Sequence, residues 1–192
     1  MKLNIFILLV WAYLPACQQD SKQYIEPVLT KEFVTYIIDK GAQFSRPNLF
    51  DTMSVSQLDF IALFDSSCIY STTRPSNQHD INKLYGFSDC DSHHLNNSVR
   101  IGWRWSDSAL RLFGYVHYDG GILSKEIAPA RIGTPISCSI RCAGNTYQFR
   151  VNEDTASLPR YCAGDYIRYK LYPYFGGDET APHTIKIDIK EL

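Results

Sequence analysis

Two consecutive stretches of the chain carry basic and aromatic side chains at two-residue spacing. Over 98–105, Ser98, Arg100, Gly102 and Arg104 alternate with Val99, Ile101, Trp103 and Trp105. Over 110–118, Arg111, Phe113, Tyr115 and His117 alternate with Leu110, Leu112, Gly114 and Val116. Successive side chains of a β-strand point to opposite faces, so each stretch predicts a strand with one apolar and one functional face. If the two strands pair, their non-core sides gather Arg100, Arg104, Arg111, Phe113, Tyr115 and His117. Guanidinium forks pair bidentately with carboxylates or sulfates, and flat rings stack on sugar faces, so such a surface suits an acidic polysaccharide. Arg141, Arg150, Arg168, Lys170 and Tyr172 on neighbouring strands would extend it. The same pattern also describes a solvated outer sheet face, where Arg and Tyr are good strand formers.

A sharper chemistry is available on this face. Cleaving a uronate polymer by elimination needs a cation or amide against the carboxylate, a base, and an acid for the leaving group. Tyr115 and His117 lie two residues apart on one strand face, with Arg111 four residues before Tyr115. No nucleophile elbow, zinc-protease helix, phosphate loop or dinucleotide fingerprint occurs, so no catalytic residue is assigned.

The densest set of ligand atoms is Asp89-Cys90-Asp91-Ser92-His93-His94. Cys90, His93 and His94 are zinc-type ligands, and Asp89 and Asp91 with backbone oxygens are a calcium-type set. Asp178 and Glu179 beside Gly176-Gly177 form a second, weaker calcium-type set. No second Cys/His pair sits at a zinc-finger spacing, and adjacent His93 and His94 are expected to point in different directions. The reading therefore assigns no cofactor, leaves calcium open, and favours a polar loop with a disulfide at Cys90. Of six cysteines, Cys138 and Cys142 lie about 13 Å apart on one predicted strand, too far to bond. Cys68 with Cys90, and Cys138 or Cys142 with Cys162, are the favoured pairs.

The elements that must position these residues are strands. Phe33–Ile38, Leu58–Phe64, Ile136–Cys142, Tyr147–Val151 and Ile185–Ile189 are β-branched or aromatic runs, and Ala143-Gly144-Asn145 reads as a hairpin turn. Ile167, Tyr169 and Leu171 alternate with Arg168, Lys170 and Tyr172. Leu58–Phe64 is apolar on both faces and predicts a central strand. Eight to ten strands without alternating helices imply an all-β fold, an antiparallel β-sandwich or barrel. The stretch from Ser71 to Asn97 reads as a long irregular excursion, a binding loop with one helical turn over Asp80–Tyr85.

The later order is a strand ending at Tyr118-Asp-Gly-Gly121, the 136–152 hairpin, and the aromatic Leu171-Tyr-Pro-Tyr-Phe-Gly-Gly177 before a terminal strand. Over residues 98–192 this resembles a concanavalin-like jelly roll, found in glycan-binding modules and some polysaccharide lyases. The resemblance implies a concave sheet that could hold sugar.

The N-terminus carries an address. Lys2 precedes an apolar stretch, Ile5 to Leu14, too short to span a bilayer and arranged like a secretory signal. Leu14-Pro15-Ala16-Cys17 resembles a bacterial lipobox, which implies an envelope lipoprotein acylated at Cys17. Gln18 in place of Asp implies the outer membrane or cell surface. This divides the chain into a signal peptide over 1–16, a lipidated Cys and tether over 17–31, and one sandwich domain over 32–192. The 19 basic and 20 acidic residues argue against nucleic-acid binding, which needs a basic excess. Three functions fit this reading. The favoured one is a lipid-anchored, non-catalytic recognition module for acidic glycans. The alternatives are a polysaccharide lyase or hydrolase on the same face, and a structural lipoprotein that binds another envelope protein.

Overall fold

The computed structural model describes residues 31–162, 164 and 167–192. The signal, lipobox and Cys17 assignments lie outside the described residues. Thirteen strands and no α-helix are present among those described: β1 Val34–Ile38, β2 Ser45–Arg46, β3 Thr52–Met53, β4 Gln57–Phe64, β5 Asn82–Ser88, β6 Asn97–Ser106 and β7 Ala109–Tyr118, then β8 Gly121–Ala130, β9 Ile136–Ala143, β10 Thr146–Val151, β11 Asp154–Pro159, β12 Arg168–Leu171 and β13 Ile185–Glu191. They form a seven-stranded sheet, β11-β10-β9-β4-β13-β1-β2, and a six-stranded sheet, β3-β12-β5-β6-β7-β8. All pairings are antiparallel, so the chain is the β-sandwich its alternating pattern implies.

The inner faces meet as the two-residue period requires. Phe60, Phe64, Ile140, Phe149, Ile185 and Ile187 of one sheet pack against Tyr85, Val99, Ile101, Trp103 and Leu112 of the other, all essentially without solvent exposure. Phe64 meets Trp103 edge-on at 5.4 Å between ring centroids, and Phe60 meets Tyr85 at 5.3 Å. Each such ring stabilises the fold by about 1.5–3 kcal/mol relative to exposure. Gly114 faces inward because a Cβ there would lie 2.8 Å from the Phe149 ring, so the glycine admits the aromatic side chain of the opposite sheet.

Several expectations change. The 71–97 stretch is not one long loop: it contains β5, an interior strand of the six-stranded sheet. A bulge between Lys83 and Tyr85 breaks its alternation, and Leu84 to Ser88 are all buried, which hides the strand period. The helical turn lies earlier, at Pro75–His79, with Asp80 at its C-terminal end and not as an N-cap. On β12 the expected inward face is reversed at its start: Ile167 is exposed and Arg168 is fully buried. The disulfide joins Cys90 to Cys162, whose Cα atoms lie 6.2 Å apart, and Cys68, Cys138 and Cys142 are free. Cys68 is elsewhere, packed against β13, where its thiol approaches the Lys186 carbonyl at 3.4 Å.

Asp89 explains the reversal at Arg168. This carboxylate has no solvent exposure and sits where β5 ends. It accepts hydrogen bonds from Arg160 Nε at 2.6 Å, Arg160 Nη2 and Arg168 Nε at 3.2 Å each, and the Tyr147 hydroxyl at 2.8 Å. Arg160 also donates to the carbonyls of Gly144 and Gly164, tying in the β9–β10 turn. A buried charge is tolerated when it is paired and hydrogen-bonded, and this one holds together the start of the 89–97 loop, the segment after β11 and β12.

Candidate functional site

The outer face of the six-stranded sheet carries a cleft of about 880 Å³. Its floor comes from β6 and β7, which pair with Arg100 opposite Tyr115 and Ser98 opposite His117. β5 contributes Lys83 and β12 contributes Tyr169, while the 44–50 segment, the 79–81 turn, the 93–95 loop and the 173–178 segment build its walls.

Arg100 is the central feature. It is on the outer face of the sheet yet only 6% exposed, and its Nε has no hydrogen-bond partner. Burial lowers its pKa to about 10, partly opposed by Tyr115, Tyr169 and Tyr174, so it stays charged at neutral pH. A buried guanidinium with unused donors is costly unless an anion completes it.

The imidazoles around it are held uncharged, while Lys83 stays mostly charged at neutral pH. Burial, then the charge of Arg100, lowers His117 to about 4, with Lys83 and His94 adding to the effect. Burial, Arg100 and His93 lower His94 to about 4 in the same way. Both imidazoles are therefore neutral at physiological pH. His117 packs edge-on against Tyr115 with ring centroids 5.2 Å apart. The Tyr169 hydroxyl accepts the His94 backbone N–H at 2.8 Å and lies 3.2 Å from His94 Nδ1, where a neutral imidazole nitrogen can accept its proton. Burial and then Arg100 lower Lys83 to about 8, against the opposing charge of Asp80.

One wall is apolar and open. Phe44, Leu49 and Phe50 are 66%, 75% and 80% exposed although they line the cleft. Phe44 meets Tyr174 edge-on at 4.9 Å and Phe50 tilts over Tyr169 at 5.8 Å. Rings presented beside a cation are the arrangement that stacks on a sugar face while an acid group is held.

Of the residues singled out from sequence, the structure brings Arg100, Tyr115 and His117 together in the cleft. Arg104 and Arg111 are on the same sheet face but outside the cleft lining. Arg104 stacks over Phe113 at 4.8 Å and donates to the His79 carbonyl, while Arg111 pairs with Glu126 and Asp107. Lys170 and Tyr172 edge the cleft, Arg168 is interior, and Arg141 and Arg150 belong to the other sheet. The metal-type run separates: Asp89 is enclosed by arginines, His94 faces the cleft, and Asp91 follows Cys90 in a turn where both have positive φ. His93 and His94 do not diverge as expected for any backbone: their ring centroids lie 4.1 Å apart, in a turn closed by the Asn96 N–H to the His93 carbonyl. Lys83, Tyr169 and Tyr174 complete the site and were not singled out. The signal for Lys83 is a lone cation leading into the apolar Leu84–Phe87 run; for Tyr174 it is the aromatic 171–177 stretch.

No protein-family model matches this chain, and no curated protein matches it. Solved structures do. A non-specific endo-β-1,3(4)-glucanase of family GH16 is similar over 82% of this chain and 68% of its own, with 9% identity and a TM-score of 0.50. LamAcat of Zobellia galactanivorans matches over 82% and 74%, with 9% identity and a TM-score of 0.50. An immunostimulatory antigen and pseudo β-1,3-glucanase of Mycobacterium tuberculosis matches over 82% and 71%, with 10% identity and a TM-score of 0.51. The chain shares their jelly-roll sandwich. At such identity the likeness is one of fold, and the function must be argued from the cleft.

Proposed function

We propose that the cleft on the six-stranded sheet recognises an acidic polysaccharide, with Arg100 taking a sugar carboxylate and the Phe44/Phe50 wall stacking on neighbouring sugars. The observation that carries this reading is the buried Arg100 at the cleft floor, with no carboxylate paired to it among the described residues and no hydrogen-bond partner at its Nε. A cleft floored by a cation also fits a small acid group better than a flat protein partner, which favours extended apolar contact. By the lipobox resemblance of Leu14-Pro15-Ala16-Cys17, the protein acts from a lipid anchor at the outer membrane or cell surface.

The neutral His117 beside Tyr115 favours a second reading, β-elimination of the bound uronate. His117 would take the proton from the carbon next to the carboxyl group, with Arg100 stabilising the charge that develops on the carboxylate. The electron pair would form a carbon–carbon double bond and expel the adjoining glycosidic oxygen, which Tyr115 would protonate. The test is an array of acidic and neutral glycans, followed by ultraviolet absorbance for the new double bond. Binding restricted to acidic glycans supports recognition, and absorbance that grows with time adds elimination. Equal binding of neutral glycans overturns the assignment of Arg100.

A further inference from the structure

We propose that Lys83 forms a second acid-group site beside Arg100, so that the cleft takes two neighbouring anionic groups of one chain. This rests on the reading of the cleft as a glycan site and narrows its ligand to polymers with acid groups on consecutive sugars.

Lys83 stands opposite Gly102 on β6, two residues along the same outward face from Arg100. Gly102 itself carries no side chain, and the space over it is taken by Ile81, whose Cγ2 would lie 2.5 Å from a Cβ there. Tyr115 neighbours both: it is opposite Arg100 on β7, and Lys83 Nζ lies 4.8 Å from the Tyr115 centroid and 5.8 Å from that of Tyr174. The ammonium also packs on the backbone at Gly176, where a Cβ would lie 2.5 Å from Lys83 Nζ and 2.6 Å from the Ile81 carbonyl oxygen.

Burial without a charge partner marks these two cations: the exposed Arg141 and Arg150 also lack an ion pair among the described residues, but Arg100 is buried and Lys83 half-buried on the cleft floor. Arg46, Arg111, Arg160 and Lys170 each form an ion pair with a carboxylate, whereas among the described residues Lys83 and Arg100 form none. The groups facing Lys83 are Arg100 from β6, Tyr115 and His117 from β7, Asp80 from the preceding turn and Tyr174 from the 173–178 segment. Asp80 is the single carboxylate in that set, and its Oδ2 is packed against Gly177 instead of bridging to the ammonium. Two like charges in one partly enclosed floor repel each other, and two bound anions relieve that repulsion together.

A proton signature follows. The free ammonium titrates at about 8, lowered by burial and Arg100, and a bound acid group raises that value. Binding should therefore take up protons near pH 8–9. Affinity is full below the free pKa and falls as pH rises towards the bound one, by up to tenfold per pH unit.

The test is calorimetry on the full-length protein at pH 6.5, 8 and 9, in two buffers of different ionisation enthalpy. The probes are a tetragalacturonate, with acid groups on consecutive sugars, and a hyaluronan tetrasaccharide, in which acidic and neutral sugars alternate. The expected result is at least tenfold tighter binding of the tetragalacturonate, with proton uptake at pH 8. Lys83→Met, which keeps most of the apolar stem, should abolish the uptake and reduce the preference to within about threefold while binding persists. Preference and uptake that survive Lys83→Met would overturn this inference and leave Arg100 recognition standing. If neither tetrasaccharide nor the parent polymers bind the wild type, both readings fall.

Discussion

The Asp89 hub offers a prediction whose size follows from the structure. Asp89→Asn keeps the shape of the side chain but removes the carboxylate from Arg160 and a charged partner from Arg168, where neither guanidinium reaches solvent. Breaking one side of a buried ion pair costs about 3–5 kcal/mol, because a charge is left buried without compensation. For a domain of this size each kcal/mol moves the melting temperature by about 2–4 °C, so the variant should melt roughly 6–20 °C lower at pH 7. Burial alone would raise the Asp89 pKa, but the hydrogen bonds from Arg160 and Tyr147 and the charge of both arginines outweigh it and hold the group below its usual value. A depressed carboxylate stabilises the fold above its unfolded pKa, and that contribution is lost as pH falls through its folded pKa. Wild-type and variant melting temperatures should thus converge in acid. Thermal denaturation followed by circular dichroism at pH 7 and pH 3 checks both points. A loss under about 2 °C at pH 7, or a gap that widens in acid, would refute the assignment of Asp89 as a charged hub.

Other expectations follow from the same geometry. Arg104→Ala and Arg111→Ala should change glycan affinity less than about threefold, since both arginines are engaged outside the cleft; calorimetry checks this against the loss at Arg100. Gly114→Ala should destabilise by about 1–3 kcal/mol in a urea titration, because the new methyl overlaps the Phe149 ring. Glu191 is lowered to about 2: burial opposes the shift, and the hydrogen bonds from Lys170, Lys31 and Tyr85 prevail. Its contribution should be present above about pH 4.5 and lost as pH falls towards 2, so Glu191→Gln should flatten the acid limb of the stability curve. Chelation with EDTA should leave glycan binding unchanged, because the Asp89 carboxylate is taken by arginines and the Glu179 carboxylate, beside Asp178, by the Thr73 and Arg74 backbone N–H groups.

Much of the fold was legible because the β6 and β7 alternation is strict and both strands have one solvated side. The same period placed Arg100, Tyr115 and His117 on one face, where they do meet. It could not place Arg104 and Arg111 outside the cleft, since the walls come from segments far away in sequence, such as 44–50 and 173–178. β5 was hidden because its second half is buried on both faces and a bulge shifts its register, which erased the pattern and concealed Lys83. Arg168 defeated the alternation on β12 because a buried carboxylate 79 positions earlier made an inward arginine favourable. The Cys90–Cys162 bridge depends on the same convergence, which spacing along the chain does not encode.

The most direct test of the account is the affinity of Arg100→Met for a uronate oligosaccharide, measured beside a carboxyl-reduced version of the same sugar. The wild type should bind the uronate and discriminate against the reduced sugar by at least a hundredfold. The variant should lose most of that affinity and discrimination, with its sheet spectrum and melting cooperativity intact. A folded Arg100→Met protein that still prefers the uronate by a hundredfold would contradict the claim that this buried guanidinium reads the acid group.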